Sequence, residues 1–294
     1  MITVFGSINL DLIFALDRLP QPGETLLGPA VSIQPGGKGA NQAAAAALDG
    51  AQVAMAGAVG RDALAAGALA GLREAGVDLT RVAEADLATG CAAICTDRAG
   101  RNLIAVGSGA NLQARAEQVE DALLGPGCTL VLQMEVPPDE TAAIIRRARA
   151  GGARIVLNLA PAAPLDRAAL REVDVLVVNE HEAAWLAEHL GAGADELHRA
   201  LGRTVVRTLG EHGSVYAGPG GAGAVPALQV RAVDTTAAGD CFTGVLAAAL
   251  DRGTSLRDSL RRASVAAGLC CTRQGSQASL PRRSETEGAM IGVS

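Results

Sequence analysis

Short apolar runs alternate along the chain with longer stretches in which apolar residues recur every three or four positions. The runs at 3–7, 52–57, 129–134, 154–158, 173–178, 204–208, 214–216 and 228–233 read as strands. Helical spacing covers 41–48, 63–75, 139–150, 180–190, 240–250 and 255–270. Repeated strand–helix units predict an α/β fold, a mostly parallel sheet between two helical layers. Two stretches, 12–33 and 88–106, break this rhythm: alternating apolar residues are punctuated by Pro20, Pro22, Gly23, Gly28 and Gly100, with no helix between the short strands. They predict a separate small β-sheet, leaving 1–11, 34–87 and 107–294 for the main domain.

Ligands of such sheets gather outside the carboxyl ends of the strands. Asn9, Asp11, Glu135, Asn158, Asn179 and the turn at Asp234 all fall there. In that turn, Thr236, Ala237, Ala238 and Gly239 lead from the strand expected at 228–233 into a helix opening at Asp240. Unpaired amides at a helix start, together with the helix dipole, form an anion site, and small side chains let a phosphate come close. A carboxylate beside such a site fits phosphoryl transfer, which needs a proton acceptor and donors for the moving charge. The plainer reading makes Asp240 a helix N-cap and Gly239 a turn glycine. Asn9 and Asp11, two apart on one strand, face the same side and can bracket adjacent hydroxyls of a ligand.

Three other patterns mislead. Gly37–Lys38 suggests a P-loop, but Ser32 and Gly39 stand where that motif needs a glycine and a hydroxyl. His181–Glu182 opens a zinc-protease motif that Trp185 breaks. Gly218, Gly220 and Gly223 spell a dinucleotide fingerprint with no helix after it, and read as a hairpin loop.

With 294 residues, 49% of them hydrophobic, the chain can bury one large core and a small appendage. The net charge of −6 comes without a basic run, and no apolar stretch reaches the ~20 residues of a membrane span, so nothing points to nucleic acid or membrane. The N-terminus opens on a core strand rather than a basic leader, which gives a cytosolic expectation. Six cysteines without metal spacing read as reduced, buried thiols.

Ordered motifs run from the first strand to Pro281: VFGSINLDLI from Val4, LPQPGETLLG from Leu19, GGKGAN from Gly36, ATG from Ala88, GAN from Gly109 and LQME from Leu132. NLAPA from Asn158, VNEHEA from Val178, TLGEHG from Thr208, DTTAAGD from Asp234 and TRQGSQASLP from Thr272 follow. In these the chain resembles the ribokinase branch of the PfkB family of carbohydrate and nucleoside kinases. The resemblance implies a ribokinase-like three-layer α/β/α sandwich with a small β-sheet lid that closes over the sugar and, in many members, pairs two subunits into a homodimer. It implies an ATP-dependent sugar kinase, D-ribose being the first expectation for the acceptor. Asp240 becomes the general base, with Gly239, Ala238 and Ala237 amides holding the phosphoryl charge. Asn9, Asp11, Gly37, Lys38, Asn41 and Glu135 become sugar contacts. Asn179, Glu182, Thr208, Gly210, Gly239 and Ser264 face the nucleotide, Glu182 reaching Mg²⁺ through water. Asp234, Thr236, Gly275 and Ser279 are expected around a monovalent cation, K⁺.

The chain departs from the ribokinase pattern at Leu159 and Val178, where proline is common, and carries Phe14, Cys91 and Ala93 in the small sheet. A nucleoside kinase, with Phe14 the one aromatic placed to stack on a base, therefore stays open, as do another sugar kinase such as a fructokinase and a non-catalytic sugar sensor. The tail after Pro281 reads as lacking a closing helix and as frayed.

Overall fold

A computed structural model describes residues 1–98 and 101–291; Gly100, expected at a turn, lies outside them. The first half runs β1 (Ile2–Phe5), β2 (Asn9–Ala15), β3 (Val31–Gly36), α1 (Lys38–Leu48), β4 (Val53–Gly60), α2 (Ala63–Ala68), α3 (Ala70–Glu74), β5 (Asp78–Ala85), β6 (Gly90–Thr96), β7 (Asn102–Gly107) and β8 (Thr129–Leu132). Then come α4 (Pro138–Gly151), β9 (Arg154–Asn158), α5 (Arg167–Leu170), β10 (Val175–Asn179), α6 (Glu180–Leu190), α7 (Leu197–Leu201), β11 (Thr204–Thr208), β12 (Ser214–Gly218), β13 (Gly221–Val225), α8 (Ala238–Asp251), α9 (Leu256–Cys270) and α10 (Arg283–Ile291).

Nine strands form the main sheet in the order β13-β12-β11-β10-β9-β8-β1-β4-β5, parallel except where β12 pairs with β11 and β13. Strand alternation divides the core in two. Val4, Val131, Val156, Val177 and Val206 pack against α1, α8 and α9, while Phe5, Leu130, Leu132, Ile155, Leu157, Leu176 and Val178 pack against α4 and α6. Helices thus cover both faces of the sheet, giving three layers. The alanine run Ala43–Ala46 is fully buried where α1 meets α8. A side chain at Gly244 would fall 2.4 Å from the Gln42 carbonyl, so only small residues let these two helices come this close.

A second sheet of four strands, β3-β2-β6-β7, stands apart from the first. Asn9 and Asp11 belong to it rather than to the end of β1. On β2, Asn9, Asp11 and Ile13 share one face, and Leu10, Leu12 and Phe14 the other.

The structure corrects four local expectations. No strand forms at 228–233, because Leu228, Val230 and Ala232 line a cavity instead of pairing, and β13 takes the sheet edge. That strand, and β5, were not legible: β13 is the glycine-rich GAGAV, paired antiparallel with β12 around the turn at Gly218–Gly221. The helix expected at 63–75 is two helices, separated at Leu69. The tail forms α10, which packs on α9 with Thr286 buried and an Arg283–Glu287 pair one turn apart at 2.7 Å.

Candidate active site

Helix α8 begins two residues earlier than its sequence suggests. Ala237 is its N-cap, in the left-handed region at φ 59°, ψ 7°, the one non-glycine with positive φ among the described residues. That conformation is costly for an L-residue and bends the chain sharply into the helix. Asp240 therefore sits in the first turn and is not the cap. The amides of Ala237, Gly239 and Asp240 make no hydrogen bond among the described residues, whereas that of Ala238 donates to the Thr235 carbonyl at 3.2 Å. Three free amides at a helix start form an anion cradle. Gly239 has no heavy atom within 4 Å of where a Cβ would stand, leaving its open side toward a cavity of about 440 Å³.

That cavity gathers Thr208, Gly210, Gly239 and Ser264 with apolar walls from Leu228, Val230 and Phe242. Asn179 ends β10 beside Thr208 of β11. Asn179 and Glu182 form a capping box at the start of α6, each side chain accepting from the other's backbone amide at 2.8 Å. Burial is the largest influence on Glu182 and raises its pKa, against the Asn179 amide and Lys38, which lower it.

On the other side of Asp240 lies a polar cluster. Asp240 is buried, its Oδ2 accepting from Asn41 Nδ2 at 3.0 Å and its Oδ1 from Gln42 Nε2 at 2.9 Å. Glu135 accepts from the Ser7 hydroxyl at 2.6 Å and from the Lys38 amide at 3.1 Å. Lys38 opens α1 after Gly37, whose φ of 88° suits only glycine and whose side-chain position is filled by the backbone of Ser7 to Asn9. Asp240 raises the Lys38 pKa most, burial opposes it, and Glu135 and Glu182 add to the rise, so Lys38 is held as a cation among three carboxylates. Asp11 lies against Gly36, where any side chain would collide with it, and its pKa is pushed up to about 6 by burial first, then by Glu135 and Asp240. Asn9 is tied down, its Oδ1 accepting from Asn111 Nδ2 at 2.7 Å.

The third group meets beyond the cradle. Asp234 accepts from the Thr236 amide at 2.9 Å and the Gly275 amide at 3.0 Å. Burial alone would raise its pKa, but these donors and the Thr236 hydroxyl together hold it below the usual carboxylate range. The Thr236 carbonyl and the Ser279 hydroxyl both approach the Cys270 thiol, at 3.8 and 3.0 Å.

A carbohydrate-kinase family model, the pfkB family, matches residues 1–283. The chain belongs to the pfkB family of carbohydrate kinases. This kinase is 35% identical to the ribokinase of Haemophilus influenzae over 97% of its own length and 96% of the relative's. It superposes on the ribokinase of Thermotoga maritima with a TM-score of 0.91 at 30% identity, covering 99% of each chain. The ribokinase of Arabidopsis thaliana, solved with ribose and ATP, gives a TM-score of 0.85 at 30% identity with 98% of both chains covered.

Sequence reasoning missed the buried residues that hold the kinase's polar cluster together. Gln42 joins Asp240 to Asn158 and accepts from Gln133, and Gln277 donates to Asn41 at 3.1 Å. The signal was a polar Gln42 directly before the alanine run of α1. Phe14 lies on the face of the small sheet opposite Asn9 and Asp11, and is not placed to stack on a ligand held by them.

Proposed function

We propose that this kinase transfers the terminal phosphoryl group of ATP to the primary hydroxyl of D-ribose, giving D-ribose 5-phosphate. The observation that carries the reading is Asp240, a buried carboxylate in the same helical turn as three free amides. It lies between a cavity suited to a nucleotide and a cluster of hydroxyl-binding side chains.

Asp240 accepts the proton of the attacking hydroxyl, with Asn41 and Gln42 fixing its oxygens. The amides of Ala237, Gly239 and Asp240 receive the charge of the moving phosphoryl group; the Ala238 amide, already given to Thr235, has a lesser part. Lys38 neutralises charge between the two substrates. Asp11 accepts from vicinal hydroxyls, and Asn9, Gly37, Asn41 and Glu135 complete the sugar side. Asn179, Thr208, Gly210 and Ser264 bound the ATP.

Glu182 suits Mg²⁺: its capping bond engages Oε2 and leaves the other oxygen for a water of the ion. Mg²⁺, bound with the nucleotide, would neutralise phosphate charge. For K⁺, Asp234, the Thr236 carbonyl, Gly275 and Ser279 offer hard oxygens on two adjoining loops, with Cys270 between two of them. Equal rates in K⁺ and in a tetraalkylammonium buffer would remove that part of the reading.

The small sheet serves as the lid that excludes water from the phosphoryl group. Its face away from the site carries Leu12, Phe14, Val31, Ile33 and Leu103; Val31, Ile33 and Leu103 are 45%, 60% and 47% exposed. An apolar face of this kind supports a homodimer through the lid, which the particle mass in solution tests. No described helix is long and apolar enough to cross a membrane.

The deciding experiment is ATP turnover on ribose, 2-deoxyribose, fructose, adenosine, inosine and cytidine. Ribose is expected to have the highest kcat/KM. A 33% identical relative in Salmonella typhi is a deoxyribokinase, so 2-deoxyribose is the sharpest competitor, and its winning would overturn the choice of sugar.

A further inference from the structure

Two motifs of the ordered series, ATG from Ala88 and GAN from Gly109, supply none of the residues assigned to sugar, ATP or cations, yet they pack on one another beside Asn9. The Ala110 amide donates to the Ala88 carbonyl at 2.7 Å, and Gly109, at φ 49°, lies so close that a side chain there would fall 2.2 Å from the same carbonyl. This contact carries Asn111, in a short helical turn over Gly109–Gln113, into the interior against Ile8 and Asn9, where it is 1% exposed.

The hydrogen bonds of Asn111 admit one orientation. The Ile8 amide only donates, so Asn111 turns Oδ1 to it, at 2.9 Å, and Nδ2 is left facing the Ile8 carbonyl at 3.4 Å and Asn9 at 2.7 Å. Asn9 answers with Oδ1. Its own Nδ2 is thereby turned away, makes no hydrogen bond among the described residues and is not sealed from solvent, although Asn9 as a whole is 3% exposed. Strand β6 opens at Gly90 beside this pair: a Cβ there would stand 2.3 Å from Asn9 Oδ1 and 2.4 Å from Asn111 Nδ2, so only glycine leaves the two amides in contact. Asn9 shares its face of β2 with Asp11, whose carboxyl feels Glu135 and Asp240, so the free donor stands on the side of the polar cluster.

We infer that Asn111 is a positioning residue for the sugar. It fixes the Asn9 amide with its donor outward, so the site presents a donor at Asn9 beside an acceptor at Asp11, matched to a sugar oxygen that accepts next to a hydroxyl that gives its proton. An Asn9 free to turn over would offer a second acceptor in that place and lose the match. This rests on the reading that Asn9 contacts the sugar.

The test is a double-mutant cycle on the KM for ribose at pH 8, above the Asp11 pKa of about 6. Asn9→Ala is expected to raise that KM. Asn111→Asp keeps an acceptor for the Ile8 amide but has no donor for Asn9, whose amide then turns over; it is expected to raise the KM by about tenfold, with kcat and the KM for ATP little changed. In the Asn9→Ala background the same substitution is expected to add less than about twofold, because Asn111 acts through the Asn9 side chain. Gly90→Ala parts the two amides without adding a charge and is expected to raise the KM for ribose too, which keeps the test open if Asn111→Asp does not fold. A KM that rises in Asn9→Ala and stays at the wild-type value in Asn111→Asp and Gly90→Ala, or effects of Asn9→Ala and Asn111→Asp that multiply in full, would overturn the role of Asn111 and leave Asn9 in the sugar site. A wild-type KM in Asn9→Ala would remove the sugar contact itself, and the inference with it.

Discussion

The Asn41 amide donates to the Asp240 carboxylate at 3.0 Å, joining the first turn of α1 to the first turn of α8 across 199 residues of chain. With Gln42 on the other oxygen, the carboxylate has one orientation and keeps lone pairs for a substrate proton. Two helices, one opening after Gly36–Gly37 and the other at the left-handed Ala237, hold Lys38 and Asn41 against Asp240 and the three free amides in one fixed geometry.

Under the proposed function, replacing that carboxylate removes the proton acceptor and leaves the three free amides in place. Asp240→Asn is expected to lower kcat by about 10²–10⁴-fold, the usual contribution of a general base. The KM values for ATP and sugar should stay within a few-fold. Steady-state rates with direct nucleotide titration check this, and near-normal turnover would take the proton-transfer role from Asp240.

Asp11 gives a pH signature. Its pKa is about 6 in the folded protein against an ordinary 3.8, raised by burial first and by Glu135 and Asp240 next. The folded protein therefore binds more protons than the unfolded chain between these values, and Asp11 makes stability fall as pH rises through that window. Asp11→Asn should remove this contribution and raise the Tm of the ligand-free protein at pH 8. In the proposed sugar contact the ionised form accepts from two hydroxyls, so KM for the sugar should rise below about pH 6 in the wild type. A KM independent of pH between 5 and 8 would remove Asp11 from sugar binding.

Alternation of strand and helix made the sheet and both helical layers legible, because each buried strand is an apolar run and each helix an amphipathic repeat. Asp240 and Lys38 were legible because a charge between glycines and alanines stands out. The strand reading failed at 228–233, where apolar alternation belongs to a cavity wall, and at β13, where glycine and alanine carry little strand signal. Gln42 bonds directly to Gln133 and Asn158, and Gln277 joins them through Asn41 and Asp240, residues from separate parts of the chain. Gln42 stands out beside its alanine run, but no local pattern reports a meeting of residues this far apart in the chain.

Gly239 separates the cradle from the fold. A Cβ there meets nothing within 4 Å, so Gly239→Ala should leave the Tm unchanged or slightly raised, alanine being the better helix residue. The methyl group would nevertheless stand at the open side of the cradle, where the proposed function brings a phosphate to the free amides. The expected result is weaker ATP binding and a fall in kcat/KM for ATP with the sugar KM little changed. Unaltered nucleotide kinetics would move the phosphate away from this turn.

Gly244 tests the packing that places Asp240. A Cβ at this position would sit 2.4 Å from the Gln42 carbonyl and 2.8 Å from the Ala45 side chain, so α1 must move off α8. Overfilling a close-packed contact usually destabilises by about 1–3 kcal/mol. Gln42 also donates to Asp240, so the same displacement reaches the carboxylate proposed as the general base. Gly244→Ala should therefore lower both the urea midpoint and kcat. Gly288→Ala, in α10 with nothing within 4 Å, should lower neither. A Gly244→Ala protein with wild-type midpoint and turnover would show that the two helices have slack, and that Asn41 alone is enough to hold Asp240.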